Sequence, residues 1–429
     1  MNSVHALEQG LLEQIVAREN LQRAWQRVKG NKGAAGCDEV SVPEFPAWAH
    51  QHWPMVKSQL MEGNYQPGAV RRVWIPKANG DKRPLGIPGV VDRVIQQAIA
   101  QVIGPMFERQ FSDYSYGFRP GRNAQQAVRR VREYLRSGHR TVVDIDLAAF
   151  FDNVNHDVLM RLIAQRVADK RVLKLIGRYL RAGVMVDGVK QSTPLGVPQG
   201  GPLSPLLANI VLHELDRYLE SQGRHFVRYA DDFVICVRST SAAQRMKANV
   251  TRFLEKRLKL TINHDKSRVV SSQQLEFLGF EFRGTKIVWS DKALHRFKHR
   301  VRRLTGRSWG VSMEHRYQEL RRYVVGWLNY FALSEYYRPV PELDEWLRRR
   351  VRTCYWKQWR WARTKIRHLV ALGVSLKQAI IAGVSSKGPH CMSRTKVTQM
   401  AMSNAWLKQQ GLVSIKEQWT RFHYPTSTA

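Results

Sequence analysis

The chain has 429 residues, 43% hydrophobic and 24% charged, which is enough for two or three domains with cores of their own. No apolar run reaches the roughly 18–20 residues of a membrane span, no basic-then-apolar leader opens the sequence, and Cys37, Cys236, Cys354 and Cys391 lie too far apart for a CxxC zinc pair or a disulfide framework; a cytoplasmic setting is expected. Lys and Arg number 69 against 35 Asp and Glu, a formal net charge of +34 spread along the chain, and such a surface repels itself unless a polyanion such as nucleic acid neutralises it.

Apolar residues from Leu11 to Val28 recur at helical spacing, so residues 4–30 read as one helix. The glycine-rich run Gly30–Gly36 ends it. Arg71–Pro76 reads as a strand, Asn79-Gly80 as a hairpin turn, and Arg83–Ile87 as the returning strand. A helix is expected from Val90 to Phe107. Thr141–Leu147 is the next strand, with a helix from about His156. Phe226–Arg228 and Phe233–Val237 flank Tyr229-Ala230-Asp231-Asp232 as a hairpin with carboxylates at its tip. Leu275–Phe282 reads as one further strand. From about Ser290 the pattern is helical, with Leu294, Phe297, Val301 and Leu304 on one face.

Two elements carry carboxylates where apolar side chains are expected: Asp144-Ile145-Asp146 at the end of a strand, and Asp231-Asp232 at the hairpin tip. Burying a carboxylate is costly unless it is paired or binds a cation. Three aspartates converging from two strands make a hard oxygen site suited to Mg²⁺. Two such ions about 4 Å apart activate a hydroxyl nucleophile and stabilise a leaving pyrophosphate. Taken alone, an Asp-Asp pair serves equally well as an exposed turn or a helix cap.

The surrounding blocks sharpen that reading. Tyr229-Ala230-Asp231-Asp232 resembles the YxDD signature of reverse transcriptases, in the form common in group II intron proteins. Arg72–Pro88 resembles the fingers hairpin, Ser115–Asn123 the next block, and Asp144–His156 the first catalytic strand. Thr193–Asn209 resembles the segment under the incoming nucleotide, and Leu258–Lys266 and Leu275–Phe280 the last palm blocks. The resemblance implies Asp146, Asp231 and Asp232 as catalytic ligands of two Mg²⁺ ions, with Asp144 a structural neighbour. It implies Phe151 as a bulky gate against the ribose 2′-hydroxyl, Gln199 and Gly200 lining the nucleotide site, and Lys77, Arg83 and Lys266 near the triphosphate. Without that context Phe151 is an ordinary core ring and Lys77 and Arg83 are solvated hairpin charges.

Gly30–Asp38 resembles the N-terminal extension of these enzymes, with Lys32 touching template phosphate. Gly326–Phe331 resembles the maturase-specific segment. A helix is expected from Glu342 to about Arg363, with Leu343, Trp346, Leu347, Val351, Cys354 and Tyr355 on its core face. Arg348, Arg349, Arg352, Lys357 and Arg360 ride on the other faces, interleaved with Trp356, Trp359 and Trp361, a combination suited to nucleic acid; the tryptophans read equally as core beneath a solvated face. The expected architecture is an α/β right-hand polymerase: an extension (1–45), fingers and palm (46–289), an all-α thumb or maturase domain (290–385) and a small DNA-binding domain (386–429). No cysteine-paired HNH nuclease follows, as in the compact class C type, so cleavage of a DNA target is not expected. The partners implied are template RNA, structured intron RNA, a DNA primer or target and deoxynucleoside triphosphates, and no membrane. Two alternatives stay open: a freestanding relative serving DNA repair or phage defence, and a splicing maturase whose polymerase is incidental.

Overall fold

A computed structural model describes residues 10–76, 80, 82–186 and 188–425. It divides into two compact units, one ending at Ser271 and the other beginning at Ser272.

The first unit opens with α1 (Leu11–Ile15), α2 (Arg18–Gly30) and α3 (Phe45–Met61). The single helix expected over 4–30 is thus, within the described residues, two helices broken at Ala17, whose backbone is extended. Tertiary packing overrides the periodicity. The Leu12 amide donates to Asp169 Oδ2 (3.1 Å), while Asn20 Nδ2 donates to the Ala98 carbonyl (3.1 Å), so the two segments are anchored to different partners. Next come β1 (Val70–Pro76), β2 (Lys82–Ile87), α4 (Val90–Glu108), α5 (Ala124–Arg136) and β3 (Thr141–Ile145). Asn123 and Gln126 form a reciprocal capping box that starts α5. Then follow α6 (Phe150–Asn153), α7 (His156–Ala164), α8 (Lys170–Leu180), β4 (Val184–Val186), β5 (Val189–Gln191) and α9 (Ser204–Ser221). The unit closes with β6 (His225–Tyr229), β7 (Asp232–Val237), α10 (Thr240–Phe253) and β8 (Arg268–Ser271).

Two four-stranded sheets result. One, in the order β2-β1-β4-β5, carries the expected hairpin, with Arg71 opposite Ile87 and Pro76 opposite Lys82. The other, β6-β7-β3-β8, is antiparallel throughout. Its central strands are apolar because both faces are covered: Val142, Val143 and Ile145 of β3 and Phe233–Cys236 of β7 are buried. The Gly30–Gly36 loop lies on the start of α4. Gly36 meets Gly89 so closely that a Cβ on Gly36 would stand 2.6 Å from the Gly89 backbone. Arg93 Nη2 donates to the Ala34 carbonyl (2.6 Å).

The second unit begins with a three-stranded sheet, β9 (Glu276–Phe277), β10 (Phe280–Arg283) and β11 (Lys286–Trp289). Leu275–Phe282 is therefore a tight hairpin rather than one strand. Leu278 and Gly279, both at positive φ (51° and 81°), form its two-residue turn. The division of the chain falls before this sheet, ahead of the helical region that opens near residue 290. Ser290 caps α11 (Asp291–Leu304), and α12 (Met313–Phe331) follows. Within the Gly326–Phe331 motif Trp327 and Leu328 are buried, Tyr330 and Phe331 half-buried, and Gly326 and Asn329 exposed. Trp327 stacks among Trp289 (5.0 Å), Phe297 (4.4 Å) and Phe331 (4.7 Å), and Trp289 Nε1 donates to the Phe331 carbonyl (2.7 Å). The motif therefore joins sheet to helices and presents no aromatic platform.

The helix expected over 342–363 is α13 (Pro339–Gln358), a break at Trp359–Trp361, and α14 (Ala362–Ala371). Leu343, Leu347, Val351, Cys354 and Tyr355 are buried as their spacing predicts. Beyond lie α15 (Leu376–Gly383), α16 (Pro389–Met392), α17 (Lys396–Ala401), α18 (Asn404–Gln409) and α19 (Ile415–His423). This ending is stitched into the helical unit. The Ile415 amide donates to Asp344 Oδ1 (2.6 Å) and Trp419 Nε1 to the Ser334 carbonyl (2.9 Å).

Arg352 takes part in the same stitching, which corrects its reading as a nucleic-acid contact. It is 5% exposed. Its Nε donates to the Met402 carbonyl (2.9 Å) and its Nη2 to Asn404 Oδ1 (3.0 Å). Burial, then the nearby Arg348 charge, pushes its guanidinium down to about 10. Arg348 is itself committed to an ion pair with Asp344. Arg352→Ala should lower thermal stability by about 2 kcal/mol through two orphaned acceptors. Thermal melting checks this; a wild-type melt would return Arg352 to the surface contacts.

Candidate active site

The β6–β7 hairpin turns through Ala230 and Asp231, with Tyr229 paired to Asp232. Ala230 sits at φ 57°, left-handed and costly for a residue with a Cβ. Its surroundings impose that conformation. Arg228, fully buried, reaches from β6 with Nη1 to the Ala230 carbonyl (3.0 Å) and to Asn209 Oδ1 (2.9 Å). Its other edge grips Asp216 of α9, Nε to Oδ1 at 2.8 Å and Nη2 to Oδ2 at 2.5 Å, with both side chains 0% exposed. Asn209 Nδ2 in turn donates to the Gly117 carbonyl (2.9 Å). Gly117 lies so close to the tip that a Cβ there would stand 2.1 Å from the Ala230 nitrogen. Arg228, Asp216, Asn209 and Gly117 went unread in the sequence. The available signal was Arg228, a charged residue inside the apolar segment Phe226–Tyr229; Asp216 shares its helix with Glu214 and Arg217 and gave none.

The β3–β7 register pairs Ile145 with Phe233. Continued by one residue, it sets Asp146 beside Asp232 at the end of the sheet. The Asp146 amide donates to Ser267 Oγ (3.1 Å), and Lys266 Nζ lies 3.7 Å from Asp146 Oδ2. Asp144 points instead to Arg268 (3.6 Å). The carboxylates sense one another. Burial raises Asp231, with Asp146 adding to the rise and Arg83 opposing it. Withdrawal from solvent at the strand end, then the charges of Asp231, Asp146 and Asp144, pushes Asp232 up to about 6. Among the described residues, no three His, Cys, Asp or Glu side chains are gathered closely enough to hold an ion as they stand. The donor set nevertheless fits a hard cation: three oxygen-only groups at one sheet end, two of which, Asp231 and Asp232, are raised by burial and then by neighbouring carboxylate charge.

A cavity of about 280 Å³ is lined by Arg72, Gly86, Phe151, Asp152 and Gln199 among others. Phe151, on α6, is 8% exposed, and its carbonyl accepts from the Val197 amide (2.6 Å). Gln199 is clamped at both ends: its Oε1 accepts from Arg83 Nε (3.1 Å) and its carbonyl from the Gly86 amide (2.8 Å). Gly200, at φ 132°, passes the Gly86 carbonyl where a Cβ would come within 2.3 Å. The first unit thus brings Arg83, Phe151, Gln199 and Gly200 to one side of the hairpin, and Lys266 to Asp146. Lys77 lies outside the described residues. Lys32 is exposed on the glycine-rich loop, at φ 47°. In the second unit Lys357 and Arg360 are exposed and Arg349 is half-buried. Trp356 and Trp359 are core, whereas Trp361 is 66% exposed beneath the Arg360 guanidinium (5.1 Å).

Comparison with known proteins agrees with this geometry. Residues 75–282 match the family model of reverse transcriptases (RNA-dependent DNA polymerases), and residues 294–372 that of the group II intron maturase-specific domain. Fold and matched segments define a reverse transcriptase fold followed by a maturase-type helical region. The chain belongs to the group II intron-type reverse transcriptase/maturase family. Protein YkfC of Escherichia coli K12 is 34% identical over 65% of this chain and 83% of its own length. The group II intron-encoded protein LtrA of Lactococcus lactis is 30% identical over 61% of this chain. The match spans only 54% of LtrA. Among solved structures, a chain of a partial Cas6-RT-Cas1–Cas2 complex aligns at 26% identity with a TM-score of 0.38, over 58% of this chain and 43% of that one. No described helix is long and apolar enough to cross a membrane.

Two outcomes follow from the tip. Arg228→Met should cost about 3–5 kcal/mol in denaturant unfolding, because it strands Asp216 as a buried charge; adding Asp216→Leu should recover most of that loss. If neither protein departs from wild type, the ion pair is not the support. The second outcome concerns Asp232. Its folded value near 6 lies above its ordinary 3.8, so its stabilising contribution is greatest below about pH 4 and is lost as the pH rises through 6. In metal-free protein Asp232→Asn should therefore raise Tm at pH 7.5 more than at pH 5. An equal shift at both values would remove the repulsion from the account.

Proposed function

We propose that the chain is an RNA-directed DNA polymerase that extends a primer on an RNA or DNA template, and that it also binds intron RNA and assists splicing. The observation that carries the polymerase reading is the meeting of Asp146, Asp231 and Asp232 at one end of the β6-β7-β3-β8 sheet, with Arg83 reaching both Asp231 and Gln199. When bound, two Mg²⁺ ions would supply activation of the primer 3′-hydroxyl and neutralisation of the leaving pyrophosphate. Asp146, Asp231 and Asp232 would hold them, and a cation there relieves the repulsion that raises Asp232.

The chain's own part is positioning and charge complementarity. Arg83, on β2, faces the triphosphate, and its bond to Gln199 ties the fingers hairpin to the floor of the nucleotide site. Phe151 closes the sugar side, where its ring excludes a 2′-hydroxyl. Lys266 neutralises Asp146 and gives way to the phosphates. The rigid tip built on Arg228 keeps Asp231 and Asp232 from moving as charge develops. The maturase-domain match over residues 294–372 supports the splicing role. Exposed Lys357, Arg360 and Trp361 are the side chains offered to RNA, since the Gly326–Phe331 aromatics are committed to the core.

Asp231→Ala and Asp146→Ala should each abolish primer extension and leave duplex affinity within about twofold. Extension by purified Asp231→Ala above background would sink the metal assignment. Phe151→Ala should raise ribonucleotide relative to deoxyribonucleotide insertion at least tenfold, about 1.4 kcal/mol, in single-turnover assays; unchanged discrimination would leave Phe151 as core only. Lys357→Ala with Arg360→Ala should flatten the log–log salt dependence of RNA binding by roughly 0.7–0.9 per lost phosphate contact. The same pair should weaken splicing of RNA from the gene's own flanks, whereas Asp231→Ala should keep splicing. An unaltered slope and splicing yield would place the RNA elsewhere.

A further inference from the structure

Helix α15 is built inside out. The face it packs against α14 is made of its smallest residues. Ala379 and Ala382 are buried, and Gly383 fits so closely that a Cβ would lie 2.5 Å from Ile366 Cγ1. Its large aliphatic side chains point to solvent: Leu376 is 60% exposed, Ile380 43%, Ile381 64% and Val384 63%. Leu376, Ile380 and Val384 follow one another at i, i+4 and i+8, so they form a ridge along one helix face, with Ile381 beside it. Val370, at the end of α14, is also exposed (41%). Single exposed aliphatics need no explanation, but a continuous ridge of them marks a surface that something covers.

The charge around the ridge has one sign. No Asp or Glu occurs between Glu345 and Glu417. Arg363 and Arg367 on α14 and Lys377 on α15 are exposed. An aliphatic ridge set among cations with no acid of its own constrains the occupant. A second copy of this surface would bring like charges together. Nucleic acid satisfies the cations, but saturated side chains neither stack on bases nor hydrogen-bond to their edges. A helix of about 12 Å offers a lipid surface far less apolar face than the longer helices that lie in membrane interfaces.

We propose that the α14–α15 hairpin is a docking site for an acidic protein segment that presents apolar side chains at helical spacing. The apolar side chains would cover Leu376, Ile380, Ile381 and Val384, and carboxylates on the flanks would meet Arg363, Arg367 and Lys377. Such a contact recruits a protein partner through a surface separate from the carboxylate end of the first unit.

The test uses the full chain and a fluorescein-labelled helical peptide with Glu and Asp on one face and Leu and Phe at i, i+3 and i+4 on the other. Fluorescence anisotropy should show saturable binding. Ile380→Ser with Ile381→Ser should weaken it at least tenfold, as should a control peptide with Ser replacing its apolar residues. Lys377→Glu should weaken it severalfold. Thermal melting and duplex affinity of these surface variants should match wild type. Equal binding by the serine-substituted peptide would reduce the contact to bulk charge and overturn the proposal. So would unchanged binding by the double variant. Absence of peptide binding, with a loss in the double variant of affinity for a single-stranded oligonucleotide or for phosphatidylglycerol vesicles, would assign the ridge to nucleic acid or lipid instead.

Discussion

The ion pair between Arg228 and Asp216 is the contact on which the first unit's chemistry depends. A buried pair is a poor source of net stability, since desolvation offsets most of the Coulombic gain. Its value here is directional. One guanidinium fixes α9 through Asp216, the Gly117 segment through Asn209, and the hairpin tip through the Ala230 carbonyl. The distant Gly117 segment is thereby tied to α9 and the hairpin tip, and Ala230 is held in its left-handed conformation. An apolar core would hold the same strands together without saying where Asp231 and Asp232 must stand.

The second organising feature is electrostatic conflict. Asp146, Asp231 and Asp232 share one sheet end in a chain that carries +34 overall, and Asp232 is raised first by burial and then by the charges of its carboxylate neighbours. The surrounding cations moderate the conflict without removing it. Arg83 lies near Asp231, Lys266 near Asp146, and Arg268 pairs with Asp144. A site in this condition favours any arriving positive charge, and folding stability has been exchanged for that readiness.

Much of this was legible in the sequence where local pattern and tertiary role agree. The largely apolar runs Thr141–Ile145 and Phe233–Val237 and the tip between β6 and β7 follow from local composition, and the α13 core face from periodicity. The carboxylates were visible because they interrupt apolar strands. What stayed hidden depends on partners distant in the chain. The break at Ala17 reflects contacts with Asp169 and Ala98. Arg352 lies on the polar side of its helix by spacing alone, yet Met402 and Asn404, some fifty residues on, draw it inside. The aromatic residues of Gly326–Phe331 carry a family signature without disclosing that their task is to join a sheet to a helix pair. Arg228 was unread because a single charge in an apolar run has no visible partner until the fold supplies one, and Asp216 because it stands among the ordinary charges Glu214 and Arg217.

The meeting of Gly36 with Gly89 has a consequence for how the chain tolerates change. The glycine-rich loop is seated on α4 by backbone against backbone, with only the Arg93 fork added from a side chain. The tolerance of that seat to substitution is therefore highly uneven. Neighbouring loop residues that point outward, such as Lys32, can be exchanged for most others without moving the loop. A single methyl group at residue 36 meets the Gly89 backbone and must lift the loop away from α4, whereas one at residue 89 meets the Asp38 carboxylate and must displace it. Variation along this segment should accordingly be wide at the exposed positions and nil at the two glycines, a profile set by the thickness of two peptide planes rather than by any chemistry the loop performs.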